Sequence, residues 1–361
     1  MKIIHPLLYL ITVFAVFSSC SPKLQPDQKS NAADKIFYPK NADTAHFQYL
    51  KGISTNKDIE KQSRFEESVI GASKLEFMSK PYGITVEKSK IYVADIGLKG
   101  LNIIDLETES FTQFKPFHKD LTFVLSAFVD TNDDRYILDS KTATIMVFDN
   151  KGKLKYDFKV PENERPSRIR IKGDRIYISD LATKRINIYS KETHQWIDQI
   201  PKKDVIVEND DFVYMPMDFD LDDEFVYILD AGAYKVKVYD HEANLVKSFG
   251  GQGNGYGLFN RPKSIAVDRE GNILVVDSTT RLVQVFNREG QALLSFGFPY
   301  QIEEDKWAPG IMFPTSMAID YNNNDYFKQF VDSRYRLKYV VYVVNQTGGK
   351  NLMAYGRIEL K

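Results

Sequence analysis

An all-β fold, a six-bladed β-propeller of four-stranded antiparallel blades, follows from three regularities. Short β-branched runs recur along the chain, an Asp closes the same strand in copy after copy, and a second polar residue follows that Asp at a fixed offset. Asp95, Asp139, Asp180, Asp230 and Asp277 end IYVAD, RYILD, IYISD, VYILD and ILVVD, and ten residues after each stands Asp105, Asp149, Ser190, Asp240 or Asn287. The Asp marks recur every 41 to 50 residues, the period of a propeller blade.

The fullest copy runs from Phe249 to Asn287. IAVD at 265 to 268, ILVVD at 273 to 277 and VQVFN at 283 to 287 read as three short strands, with ALLSFG at 292 to 297 as the fourth. REGN, STTR and REGQ between them supply turn residues, so the unit is a meander. The first strand of other copies is marked by PYGITVE at 81, PSRIRIK at 166, PMDFDLD at 216 and PTSMAID at 314. In the sixth copy VYVVNQ at 341 to 346 is taken as the second strand, with Asn345 in the Asp position, and NLMAYG at 351 to 356 as the third. Residues 322 to 337 then form an insertion holding a short helix capped by Asn324 or Asp325. The last blade lacks a strand, and FEESVIG at 65 to 71 is expected to supply it, so that an N-terminal strand closes the ring and no sheet edge is left open. FQYLKGISTNK before it is expected as a strand and turn packed on the propeller.

This repeat resembles the NHL family of propellers, whose pattern reads like GxGxGxFxxPxxIAVDxxGNIYVxDxxNxRVQVF. Residues 250 to 286 follow it closely, while the other blades share its Pro, strand and Asp marks, and the resemblance spans residues 65 to 356. It implies the fold more than the function, because similar propellers serve as peptide or RNA platforms, scaffolds and a few enzymes. The long preamble and the inserted last blade also resemble bacterial lipoproteins built on six-bladed propellers.

At the start of the chain Lys2 precedes the uncharged run LLYLITVFAVF at 7 to 17, then Ser18, Ser19 and Cys20. A membrane-spanning helix needs about twenty apolar residues, so this shorter run fits a secretory signal. Small residues before Cys20 resemble a lipoprotein signal, with Phe17 standing where that pattern usually has Leu; an ordinary signal peptide or an uncleaved anchor is the alternative. Residues 1 to 19 are thus expected as the signal, residues 20 to 45 as a lipidated Cys20 and flexible stalk, and residues 46 to 361 as the propeller. The acyl chains on Cys20 would anchor the domain to a membrane. With Ser21 and no acidic run behind the cysteine, sorting to the outer membrane, facing the periplasm, is the expectation.

Cys20 is the one cysteine in 361 residues, which excludes an intrachain disulfide and a cysteine-based zinc site. Removal of the signal leaves 47 basic against 49 acidic residues, a balance that argues against nucleic acid as partner.

Three features of the sequence bear on chemistry. The loop GGQGNGYG at 250 to 257 is followed by a strand and lacks a GK pair, so it reads as a tight interblade connection rather than a phosphate cradle. The Asp ladder could offer oxygens to Ca²⁺, but its members lie one to a blade, and each is assigned to hydrogen bonds with the following turn. His46, His118, His194 and His241 form no HxH or HExxH pair. Amidating lyases on a similar propeller use a histidine-ligated metal, and lactonase-like ones use scattered Asp, Asn and Glu. No catalytic or metal-binding residue and no cofactor beyond the lipid is therefore assigned.

What is left is a surface. Connections from a fourth strand to the next first strand gather around the channel of a propeller, and here they carry Lys80, Tyr82, Arg165, Arg168, Tyr214, Tyr256, Asn260, Arg261 and Trp307. Arg and aromatic residues dominate protein interfaces. Either these side chains bind an envelope protein, peptide or glycan, or they pack as ordinary rim loops; the competing function is a metal-dependent hydrolase or lyase at the channel mouth.

Overall fold

A computed structural model describes residues 35–60, 74–116, 121–161, 163–202, 209–298, 301–303, 306–308 and 310–361. The signal, Cys20, the FEESVIG segment and His118 lie outside the described residues. Residues 36 to 361 form one compact unit. No helix among the described residues is long and apolar enough to cross a membrane.

The chain begins its sheets with β1 (Phe37–Tyr38) and β2 (Phe47–Ile53). Blade 1 follows as β3 (Pro81–Glu87), β4 (Lys90–Asp95), β5 (Gly100–Asp105) and β6 (Ser110–Phe114). Blade 2 is β7 (Val124–Val129), β8 (Arg135–Asp139), β9 (Thr144–Phe148) and β10 (Leu154–Lys159). Blade 3 is β11 (Pro166–Lys172), β12 (Arg175–Asp180), β13 (Arg185–Ser190) and β14 (Trp196–Ile200). Blade 4 is β15 (Pro216–Leu221), β16 (Phe225–Asp230), β17 (Lys235–Asp240) and β18 (Leu245–Gly250). Blade 5 is β19 (Pro262–Val267), β20 (Ile273–Asp277), β21 (Leu282–Phe286) and β22 (Ala292–Phe296). A small hairpin, β23 (Gln301–Glu303) and β24 (Lys306–Ala308), precedes β25 (Pro314–Asp320), β26 (Tyr335–Asn345) and β27 (Leu352–Leu360) of blade 6. The first strands pack in a closed circle, β3 on β7, then β11, β15, β19, β25 and back to β3.

Each blade is sandwiched between two others, which explains why the middle strands are apolar on both faces. In blade 5, Leu274 and Val276 join the cluster facing blade 6, whereas Ile273 and Val275 join the one facing blade 4. Successive side chains of a strand point to opposite faces, so a continuous apolar run serves two cores. Six such clusters fill the six interblade spaces.

Ring closure differs from the sequence expectation in its strand. The sixth sheet runs β1-β2-β27-β26-β25, so the place expected for FEESVIG is taken by FQYLKGI, residues 47 to 53. Phe47 pairs with Arg357 and Ile53 with Leu352, and the Phe47 ring stacks on Phe296 of blade 5 with centroids 4.1 Å apart. The side chain of Gln48 donates to the Phe330 carbonyl and accepts from the Asp332 amide, tying β2 to the insertion. Burial of Phe47 and Ile53 in two interblade cores gives this closing place to β2.

Two further expectations are corrected. The stalk assigned to residues 20 to 45 ends earlier, because Phe37 and Tyr38 pair with β2 and are buried. Their polar, Pro-containing surroundings masked two aromatic anchors. In the insertion, helix α1 (Asn324–Phe327) has Asn323 at its N-cap position, with no capping side-chain bond, rather than Asn324 or Asp325. The Asn323 amide is spent instead on Asp320 and the Lys88 carbonyl, and β26 already begins at Tyr335.

Candidate binding face and central channel

The Asp ladder organises one face of the ring. Asp277 accepts from the amides of Thr279 and Thr280 in the following turn, and also from Asn260 and Arg261 in the segment leading into its own blade. Asp95, Asp139, Asp180 and Asp230 do the same with Lys80, Phe123, Arg165 and Met215 respectively, beside their own turns. In blade 6 Asn345 accepts from Met312. The turn bonds follow the sequence expectation, and the bonds to the lead-in segment are additional. Each carboxylate thereby clips two loops together.

A second contact completes the clip. The carbonyls of Lys80, Phe123, Arg165, Met215, Arg261 and Phe313 accept from Ile96, Ser140, Leu181, Ala231, Ser278 and Gln346 at 2.9 to 3.0 Å. These six are equivalent positions, each immediately before a first strand, and all six side chains are exposed. Around the ring the order is Lys, Phe, Arg, Met, Arg, Phe, so cationic and apolar side chains alternate. Fixed backbone on both sides makes this a preorganised crown at the channel mouth.

Below the crown every first strand bulges at its second residue: Tyr82, Leu125, Ser167, Met217, Lys263 and Thr315. A bulge bends the strand and re-aims its side chain. Arg168, 1% exposed, gathers three of these positions. It donates to the carbonyls of Leu125 and Thr315 at 3.4 and 2.7 Å and lies over the Tyr82 ring at 4.9 Å. Its Nε sits 3.4 Å from Oδ1 of the enclosed Asp218 without a hydrogen bond. Asp218 also receives the Ser264 hydroxyl and the Ile265 amide, while the Ser264 oxygen accepts from Met317. The Thr315 hydroxyl reaches the Tyr82 carbonyl, and a Cβ at Gly83 would meet the Leu125 oxygen at 2.4 Å, so blades 1 and 2 approach as only glycine allows. The channel is thus stitched shut from blade to blade.

Electrostatics at the mouth are positive. Burial, together with the charges of Arg261 and Arg168, pushes Lys263 below the usual lysine range. Deeper in the channel burial raises the Asp220 carboxyl, opposed by Arg170 and by amide bonds from Val267 and Leu221.

Of the residues singled out from sequence, Lys80, Arg165 and Arg261 stand in the crown, and Tyr214 and Tyr256 are exposed beside it. Asn260 donates its side-chain amide to Asn254 within the glycine loop, where Gly250, Gly251, Gly253 and Gly257 all have positive φ. Tyr82 is half-buried against Arg168. Arg168 itself is corrected from a surface residue to the channel plug, because it lies inside β11 rather than in the preceding loop. Trp307 belongs to β24, and its side chain lies outside the described residues. Phe123, Met215 and Phe313 were missed, although counting one residue back from each first strand finds them. Blade 2 begins with Val124 instead of Pro, and exposed apolar residues read as core.

Among the described residues no group of three or more His, Cys, Asp or Glu is placed to hold a metal ion. The NHL repeat family matches residues 259–286. No curated protein matches the chain by sequence. Among solved structures, a streptogramin B lyase is similar with a TM-score of 0.52 at 13% identity, covering 78% of this chain and 94% of that one. A catalytically inactive variant of virginiamycin B lyase from Staphylococcus aureus with quinupristin gives a TM-score of 0.49 at 13% identity, over 77% of this chain and 84% of that one. At such identity the likeness is one of fold. The chain is thus a six-bladed β-propeller whose fifth blade matches the NHL repeat.

Proposed function

We propose that this propeller is a binding module that captures a protein partner, through an acidic segment carrying apolar side chains, on its crown face. The observation that carries this reading is the alternation of Lys80, Arg165 and Arg261 with Phe123, Met215 and Phe313 at six equivalent, backbone-clamped positions. Exposed cations at a rim steer association and set charge preference, while apolar side chains brought out of water supply the anchoring energy. Lys263 and Arg168 beneath the crown add to the positive potential. The same reading keeps Cys20 as a lipid-bearing residue that tethers the propeller in a bacterial envelope, on the outer membrane facing the periplasm.

The test is capture by the full chain, comparing wild type with Arg165→Ala combined with Arg261→Ala. Both side chains are exposed, so the melting temperature should hold while partner recovery falls several-fold, and more steeply at low ionic strength. An identical set of captured proteins from both forms would sink the reading.

A further inference from the structure

Over the loop-face end of blade 2 a cavity of about 550 Å³ opens between that blade and the segment leading into blade 3. Phe123, Lys141, Thr142, Lys159, Glu164 and Arg165 are among the residues that line it. Its volume falls in the roughly 300–1,000 Å³ range of small-molecule sites. Three of its walls are cationic, and Lys141, Lys159 and Arg165 form no ion pair among the described residues. Cations held around one concavity repel one another, and an anion relieves that repulsion.

The one carboxyl in the lining does not fill this role. Glu164 is enclosed, and both its oxygens accept from the Tyr189 hydroxyl, at 2.8 and 3.0 Å. It is committed to blade 3 rather than to the lysines. The cavity floor is meanwhile stiff, since Asp139 holds the backbone amides of Lys141 and Thr142 and the Ser140 hydroxyl bonds the Pro166 carbonyl.

We infer that this cavity binds a small organic molecule bearing a doubly charged oxyanion, a phosphomonoester or a pair of carboxylates, with an apolar body against Phe123. Among the described lining residues three cations face one carboxyl, and a dianion offsets that excess. The site overlaps the crown at Phe123 and Arg165, whereas Lys141 and Lys159 belong to the cavity alone.

Calorimetric titration of the full chain with phenyl phosphate, phthalate and benzene-1,3-disulfonate, at low salt and pH 7, tests this. Saturable one-site binding is expected for at least one probe, weakened at least ten-fold in Lys141→Gln combined with Lys159→Gln. Both lysines are exposed, so the variant should fold, and Lys57→Gln, an exposed lysine outside the lining, should bind as wild type does. A preference for phenyl phosphate over phthalate assigns a phosphomonoester, and the reverse assigns paired carboxylates. No saturable binding of any probe, or binding that the double lysine variant leaves unchanged, overturns the proposal.

Discussion

Nε of Arg168 lies 3.4 Å from Oδ1 of Asp218 inside the channel, and both side chains are enclosed by the first strands of the ring. One guanidinium therefore touches blades 1, 2, 4 and 6 from its place in blade 3. A propeller's core lies between blades and leaves its axis without apolar filling. Here the axis is filled by a buried ion pair surrounded by carbonyls and hydroxyls.

Removing one partner of such a pair is costly because the other is left charged and unpaired. Arg168→Met should lower unfolding free energy by about 3 kcal/mol, since among the described residues Asp218 then keeps Arg170 alone, 3.7 Å away, as a counter-charge. Arg168→Met with Asp218→Asn should be less damaging than the two single losses added together. Chemical denaturation of the four proteins measures this coupling, and strict additivity would show that the pair is incidental.

The Asp ladder predicts a graded response at one position. Asp277→Ala strands four part-buried amides at once and should cost about 3 kcal/mol. Asp277→Asn keeps an acceptor but sets its NH₂ against donors, at roughly half that cost. Blade 6 already runs on Asn345, which accepts from Met312 and gives its amide to the Lys350 carbonyl. Equal losses from Ala and Asn would mean that the clip contributes through charge alone.

Those Asp marks explain why blades were legible in the sequence and their closure was not. Strand, turn and Asp lie within about fifteen residues of one another, and local chemistry repeats with the blade. Closure depends on which distant segment buries its side chains between blades 5 and 1, and Phe47 and Ile53 do so without sharing the fourth-strand pattern. The crown was half legible for a related reason. Lys80, Arg165 and Arg261 announce themselves as exposed, whereas Phe123, Met215 and Phe313 become recognisable only once their backbone clamps place them outside. Arg168 sits one residue beyond a bulge, and the bulge turns an apparent loop residue into the plug.

Glu164 gives the last prediction its direction. Burial is the main cause that raises its carboxyl from 4.5 to about 7, with the Asp180 charge adding to it and bonds from Tyr189 and Asn187 opposing. The folded chain thus holds this proton more tightly than the unfolded chain between those values. The stabilisation is fully present below pH 4.5 and is lost as pH rises through about 7, where the enclosed carboxylate becomes ionised. A shift of this size corresponds to roughly 3 kcal/mol at most, so Glu164→Gln, which still accepts from Tyr189, should melt higher than wild type above pH 7 and lose the dependence. The same proton governs the charge that an anion meets beside Lys141, Lys159 and Arg165. Benzene-1,3-disulfonate keeps its charge from pH 5.5 to 8.5, so its affinity should rise as pH falls through about 7 in wild type and stay level in Glu164→Gln. A pH dependence that survives in Glu164→Gln would move the titrating group elsewhere.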